Sequence, residues 1–241
     1  MRRLWLADVH ANWPAFQAVL ADAGPVDEVL FLGDIVGYGP HPAACVDRLR
    51  DLGARAVRGN HDVAILARPA DAPSAPGDWD AWTRAQLDPA QLDFLTALPE
   101  AFRLEAWGTQ VAVRHQPPGA PYLHPAMPDA LLAGHFAAVD APAVCCGHSH
   151  RALDRTIGGR RLVLLPAVGQ PRDGDPRAGY ALEQDGALTF RAVPYDVERV
   201  VADLAHVDLD ETFRERWRQF VRTGFDAEWS RPYTPATEAE G

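Results

Sequence analysis

Five short polar clusters sit at the ends of strand-like apolar runs, and they constrain this chain more than any other feature. They are Asp8-Val9-His10, Gly33-Asp34, Gly59-Asn60-His61-Asp62, His115 and Gly147-His148-Ser149-His150. The runs that carry them are Arg3 to Val9, Val29 to Val36, Ala54 to Arg58, Val111 to His115 and Val144 to His148. Helical spacing over Pro14 to Ala23 and Pro42 to Leu52 separates the first three. Asn12 is a plausible N-cap for the first helix, and Gly53 stops the second. This β-α-β-α-β pattern predicts a mostly parallel sheet, in which ligands bind at the carboxyl ends of the strands. Asp8, Asp34, Asn60 and five of the nine histidines therefore converge on one sheet edge.

Further along, residues 67–78 read as a Pro-rich loop and Trp79 to Leu98 as helical. This segment breaks the alternation, and roughly residues 64–100 are a candidate cap over the site. After Leu153, Gly158-Gly159 and Asp185-Gly186 punctuate short strand-like runs, which predicts antiparallel hairpins. Glu198 to Leu204 and Thr212 to Arg222 have helical character. No internal repeat or linker stands out. The expected organisation is one domain over residues 1–229 with a flexible tail at 230–241.

Composition excludes several classes. A net charge of −10 argues against stable binding of a nucleic-acid polymer, although a small nucleotide substrate remains compatible. No apolar run reaches the length of a membrane helix, and polar Asp8 and His10 interrupt the N-terminal run, so the expected location is the cytoplasm. The cysteines, Cys45, Cys145 and Cys146, are odd in number and lack framework spacing, so they read as small buried residues.

So many polar groups gathered in one place are costly unless something pairs with them. Divalent cations would do so. Carboxylate, amide and imidazole donors without thiolate suit Mn²⁺, Fe, Zn²⁺ or Ni²⁺, and the donor supply suffices for two ions sharing one carboxylate.

On these motifs the chain resembles the calcineurin-like metallophosphoesterases: all five blocks are present, in order. The stretches Gly33 to Pro40, Gly169 to Ala178 and Tyr195 to Glu198 resemble the small bacterial and archaeal phosphodiesterase-like branch in particular. The resemblance implies an α/β fold, a four-layer α/β/β/α sandwich of two mixed sheets flanked by helices. It implies two divalent ions, Mn²⁺ first, with Fe, Zn²⁺, Ni²⁺ or Mg²⁺ as alternatives. Asp8, His10 and His150 would hold one ion and Asn60, His115 and His148 the other, with Asp34 shared between them. A hydroxide bridging the ions would attack phosphorus. His61 would act on the leaving group rather than bind metal. Gly59 and Gly147 are expected to permit tight turns before Asn60 and His148.

The implied reaction is hydrolysis of a phosphodiester, or of a phosphomonoester, in a small or nucleotide substrate. A dinucleoside polyphosphate hydrolase is an alternative. A protein Ser/Thr phosphatase is disfavoured by Gly37-Tyr38-Gly39 and by Asp62, and a non-catalytic scaffold by the intact donor set and His61. Arg58, Arg114, Arg151, Arg172 and Arg177 flank the motifs; Arg151 and Arg172 are the candidates for binding substrate phosphate. Gln116, where the family often has glycine, is a candidate to narrow the site. Trp79 and Trp82 are expected to pack a helix rather than a base. The sequence leaves the oligomeric state open.

Overall fold

The computed structural model describes residues 1–68, 78–228, 230, 231 and 233. The first third follows the predicted alternation: β1 (Arg2–Leu6), α1 (Trp13–Ala23), β2 (Glu28–Phe31), α2 (Pro42–Asp51), β3 (Arg55–Ala56) and α3 (Asn60–Ala67). Next come α4 (Trp79–Ala85), α5 (Pro89–Ala97), β4 (Ala101–Ala106), β5 (Thr109–Arg114), α6 (Asp129–Phe136) and β6 (Ala143–Cys146). The chain continues through β7 (Leu153–Ile157), β8 (Arg160–Leu164), β9 (Ala178–Gln184), β10 (Ala187–Val193), α7 (Val197–Leu204) and α8 (Glu211–Thr223).

The strands form two sheets, ordered β10-β9-β1-β2-β3 and β4-β5-β6-β8-β7. Pairing is parallel in β1-β2-β3 and in β5-β6-β8, and antiparallel at the flanks. Both sheets are thus mixed, as the resemblance implies, and the strands of the first third pair in parallel as predicted. The reason for the mixing is local. Asp185-Gly186 turns β9 back on itself as β10, and Asp185 has φ 52° while Gly186 has φ 83°. Trp107 (φ 55°) and Gly108 do the same between β4 and β5.

Period-two alternation on β1 assigns its residues to two different cores. Leu4 and Leu6 join Phe16, Val19, Val46, Leu49 and Leu95 between the first sheet and its helices. Trp5 and Ala7 join Leu30, Val111, Val113, Cys145 and Val163 between the two sheets. Val144, Cys146, Leu162 and Leu164 on the far face of the second sheet pack on Leu132 and Phe136 of α6. The order of layers is therefore helix, sheet, sheet, helix. The three cysteines are buried free thiols.

Several expected boundaries move. Asn12 caps α1 by accepting from Ala15 N at 3.2 Å, and Gly53 (φ 57°) follows α2, both as expected. The helix expected over Trp79 to Leu98 is two helices. Pro89 disfavours helical backbone at Asp88, and Asp88 and Gln91 form a reciprocal capping box that starts α5 afresh. Helix α6 and strand β4 were not expected. α6 has almost no polar face, so its period is weak. Strand β4 alternates buried and exposed side chains but lies directly after a helical pattern. Of the Pro-rich loop, residues 69–77 lie outside the described residues, as does most of the expected tail after Ser230.

A fourth apolar cluster joins α4, α7 and α8, and includes Trp79, Val200, Trp217 and Phe220. Trp79 packs there as expected, with its ring 4.8 Å from that of Phe213. Trp217 is fully buried and stacks on Tyr38 at 5.3 Å and on Phe220 at 5.3 Å. Trp217→Ala should lower stability by about 3–5 kcal/mol, read as the shift in the urea midpoint of the circular-dichroism signal.

Candidate metal centre

The carboxyl ends of β1, β2 and β3 meet those of β5 and β6 at one edge of the sandwich. Bonds cross the seam between the sheets there: Val168 N donates to Ala7 O at 3.0 Å, and His148 N donates to the Asp8 carboxylate at 3.0 Å. Three groups of side chains have donor atoms within 4.8 Å of one another. They are Asp8, His10 and His150; Asp34, His115 and His148; and His10, Asp34 and His61. Asn60 joins the second group, with its Oδ1 3.0 Å from His115 Nε2. All eight residues expected to carry the chemistry therefore lie together.

Backbone carbonyls set the orientation of the imidazoles. His10 Nδ1 faces Val36 O at 3.3 Å, His115 Nδ1 faces Leu32 O at 2.7 Å, and His150 Nδ1 faces Gln170 O. Donation from each Nδ1–H turns the Nε2 edge inward, as the outer hydrogen bond of a metal-binding histidine does. The inward atoms then crowd one another. His10 Nε2 lies 3.3 Å from His150 Nε2, and His115 Nε2 lies 3.2 Å from His148 Nδ1. Asp34 Oδ2 is buried, has no hydrogen bond of good geometry among the described residues, and sits 3.2 Å from His115 Nε2 and 3.8 Å from His10 Nε2. Buried carboxylates and imidazoles crowded at these distances are an arrangement that a cation satisfies, so the donor set fits divalent metal.

A carboxylate outside the expected set holds this arrangement in place. Asp62 accepts from Gly59 N (2.8 Å), Asp34 N (2.9 Å), Ile35 N (3.0 Å) and Val36 N (3.3 Å). It occupies the third position of α3, where a carboxylate reaches back to the N-cap amide. The signal was its place in the Gly59-Asn60-His61-Asp62 block. Asp34 in turn accepts from His61 N at 2.9 Å through Oδ1, so the N-terminus of α3 addresses an anion. Tyr122 was also missed, and no motif announces it; its ring stacks on His148 at 4.2 Å.

The two glycines act through space rather than through turn freedom, which corrects the expectation. Gly59 is extended at φ −100°, and a Cβ there would meet Asp34 Oδ1 at 2.0 Å. A Cβ on Gly147 would meet Ala7 Cβ at 2.7 Å. The unusual backbone belongs to the donors themselves: Asp8 (φ 55°), His10 (47°), Asp34 (60°), His148 (64°) and His150 (56°) are all left-handed. Such residues cost on the order of 1–3 kcal/mol each and gather at functional sites.

The charges are tightly linked. Burial pushes the Asp8 carboxyl up to about 8; the Asp34 charge adds to this and His115 opposes it. Burial alone would lower His115, but the Asp34 carboxylate beside it, with the Asp8 charge and the Leu32 carbonyl, raises it to about 9. Burial would raise Asp34, yet His115, His61 and His10 hold it well below the usual carboxylate range. Burial lowers His148 to about 3, helped by His115, and lowers His10 and His150 well below 6.5. Burial and the Asp34 charge raise Asp62 to about 6.

The flanking arginines divide into two sets. Arg58 faces Glu100 at 3.3 Å, Arg177 pairs with Asp175 at 2.6 Å, and Arg114 Nε donates to Gln116 O at 2.9 Å. Arg151 and Arg172 are buried and form no ion pair among the described residues. Gln116 lines a cavity of about 390 Å³ that opens beside Asn60 and His115. Of the other histidines, His41 pairs with Asp203 at 2.8 Å, away from the cluster. None of the helices described is long and apolar enough to cross a membrane.

A family model, the calcineurin-like phosphoesterase superfamily domain, matches residues 1–185, and the chain belongs to that family. It is 30% identical over 238 residues to an uncharacterised protein of Methanocaldococcus jannaschii, covering 88% of this chain and 95% of that one. Among solved structures it is similar to a metallophosphoesterase from Sphaerobacter thermophilus, at 35% identity and a TM-score of 0.76, over 90% of this chain and 98% of that one. A hypothetical protein from Pyrococcus horikoshii shares the fold, at 19% identity and a TM-score of 0.80, over 92% and 98% of the two chains.

Asp62→Ala should destabilise the protein by about 3 kcal/mol or more in urea unfolding, because four backbone donors lose their acceptor. Metal binding should release on the order of one proton or more per molecule at pH 7, because Asp8 and His115 are raised above 7 and as ligands would have to lose their protons. Mn²⁺ affinity should therefore rise from pH 6 to pH 9, and calorimetry in buffers of different ionisation enthalpy measures both effects.

Proposed function

We propose that this protein hydrolyses phosphate esters of a small or nucleotide substrate, preferring diesters, with two divalent ions, Mn²⁺ first. Asp8, His10 and His150 would hold one ion, and Asn60, His115 and His148 the other, with Asp34 shared. Bound there, the ions supply a water of lowered pKa and positive charge for the phosphoryl oxygens. The observation that carries this reading is Asp34, fully buried and grouped with His10 and His61 on one side and with His115 and His148 on the other. The 1–229 stretch would act as one domain, with the 64–100 segment as its cap.

The chain's own residues have distinct tasks. The water oxygen forms the new bond to phosphorus, the bond from phosphorus to the leaving oxygen breaks, and a proton must reach that oxygen. His61 supplies it. Its ring is half-buried, stands edge-on to His10 at 5.0 Å and packs 4.6 Å from Tyr38. The Nδ1 edge lies against Gly37, which leaves Nε2 as the donor. Tyr38 is itself backed by Trp217 at 5.3 Å, so the α8 layer fixes the acid from behind. Positioned proton transfer of this kind contributes ~10²–10⁴ in rate.

His61 also lies within donor range of His10 and Asp34, so its role as acid rather than ligand needs its own test. Bis-p-nitrophenyl phosphate and p-nitrophenyl phosphate should be assayed with Mn²⁺, with EDTA and in His61→Ala. The expected result is diester cleavage abolished by EDTA, with kcat in His61→Ala down by at least ~100-fold and bound metal unchanged. Loss of metal from His61→Ala would make it a ligand. Absence of metal-dependent cleavage of either ester would refute the hydrolase reading.

A further inference from the structure

A second cavity, of about 410 Å³, opens at Arg151, the residue after His150. His124, Arg151, Arg172, Asp173 and Phe225 are among its lining residues. The volume suits a small organic ligand rather than a single ion. Arg172 is joined to the cluster through its backbone and its neighbours. Its N faces His150 O at 3.4 Å, and its Nη2 donates to Gln170 Oε1 at 3.0 Å, while Gln170 O faces His150 Nδ1. Its guanidinium lies 4.8 Å from the ring of Tyr122, which stacks on His148.

Two buried guanidiniums line this space; Asp173 acts on Arg151 and Asp8 on Arg172, but only at longer range than an ion pair. Arg151 and Arg172 are 8% and 4% exposed, neither forms an ion pair among the described residues, and Arg172 Nε has no hydrogen-bond partner there. Asp173 supplies a carboxylate to the lining, but it is exposed at the rim. The cavity beside Asn60 differs, because its Arg58 has Glu100 and its Arg114 has a backbone carbonyl. Unpaired buried charge is costly, and a guanidinium fork matches phosphate oxygens. The cluster already provides for the reacting phosphoryl group. A second anion in this cavity would answer both guanidiniums.

We propose that the Arg151–Arg172 cavity is a subsite for a second phosphoryl group, so that the substrate is an organic compound carrying at least two. The inference rests on the hydrolase reading for its place in catalysis, but its binding chemistry can be measured without metal. Phe225, half-exposed at the same cavity, offers an apolar surface to the organic part of the ligand.

Calorimetry in EDTA, with ADP and with adenosine, isolates the subsite from the ions. ADP should bind the wild type and adenosine should not. Arg151→Ala should weaken ADP by at least ~10-fold, and Arg151→Lys should recover part of the loss. Arg151→Met, which keeps most of the side-chain stem, repeats the test if Arg151→Ala unfolds at a lower temperature. With Mn²⁺, kcat/KM should favour diadenosine diphosphate over bis-p-nitrophenyl phosphate, and Arg151→Ala should cost the first at least ~10-fold more than the second, through KM. Failure of ADP to bind, equal binding by wild type and Arg151→Ala, or equal losses on both substrates would overturn the subsite. Absence of metal-dependent cleavage of either substrate would overturn the hydrolase reading, and the ADP titration would still decide the subsite.

Discussion

The Asp62 carboxylate is the interaction on which the rest of the site depends. Its four backbone donors come from two separate loops, the one after β2 and the one before α3. Asp34 is held in left-handed backbone by those bonds, and Asp34 in turn anchors the start of α3 through His61 N. One buried side chain thus positions a donor that belongs to two groups of candidate ligands and the first turn of the helix that carries Asn60 and His61. The desolvation cost of burying Asp62 is offset only because every bond is made, and the same fully satisfied network resists relaxation of the strained loop.

Much of this was legible in the sequence because the signals were redundant. Asp8, His10, Asp34, Asn60, His61, His115, His148 and His150 each follow an apolar run, and the structure brings all of them together. The layered fold was legible for the same reason: β1 alternates residues between two cores, and the hairpin turns at Gly158-Gly159 and Asp185-Gly186 carry explicit turn chemistry. What was missed lacked a local signature. Helix α6 is apolar almost all round, so periodicity could not mark it. Tyr122 acquires its importance only by stacking on a residue 26 positions away. The roles of Gly59 and Gly147 depend on what approaches them from other strands, which no local pattern encodes.

The arginines show how a structure sorts candidates that sequence leaves equivalent. Five of them flank the motifs with the same chemistry and similar spacing. Folding gives Arg58 and Arg177 carboxylates and Arg114 a carbonyl, while Arg151 and Arg172 are buried without an ion pair among the described residues. Burial with and without a counter-charge are opposite statements about function, although the residue type is the same.

The donors are contributed by both halves of the sandwich: Asp8, His10, Asp34 and Asn60 by the first sheet's loops, and His115, His148 and His150 by the second's. The apolar slab of Trp5, Leu30, Val113, Cys145 and Val163 between the sheets therefore works as a gauge block. Its thickness, about 10 Å in packed sheets, fixes how far apart the two sets of donors stand. Interiors packed like crystals transmit a change of one methylene, and a misplacement of about 1 Å can cost a catalyst ~10²-fold. An apolar substitution deep in this slab, touching no polar atom, would retune the opening between the two halves of the cluster, so the tolerance of the chemistry is machined into the hydrocarbon.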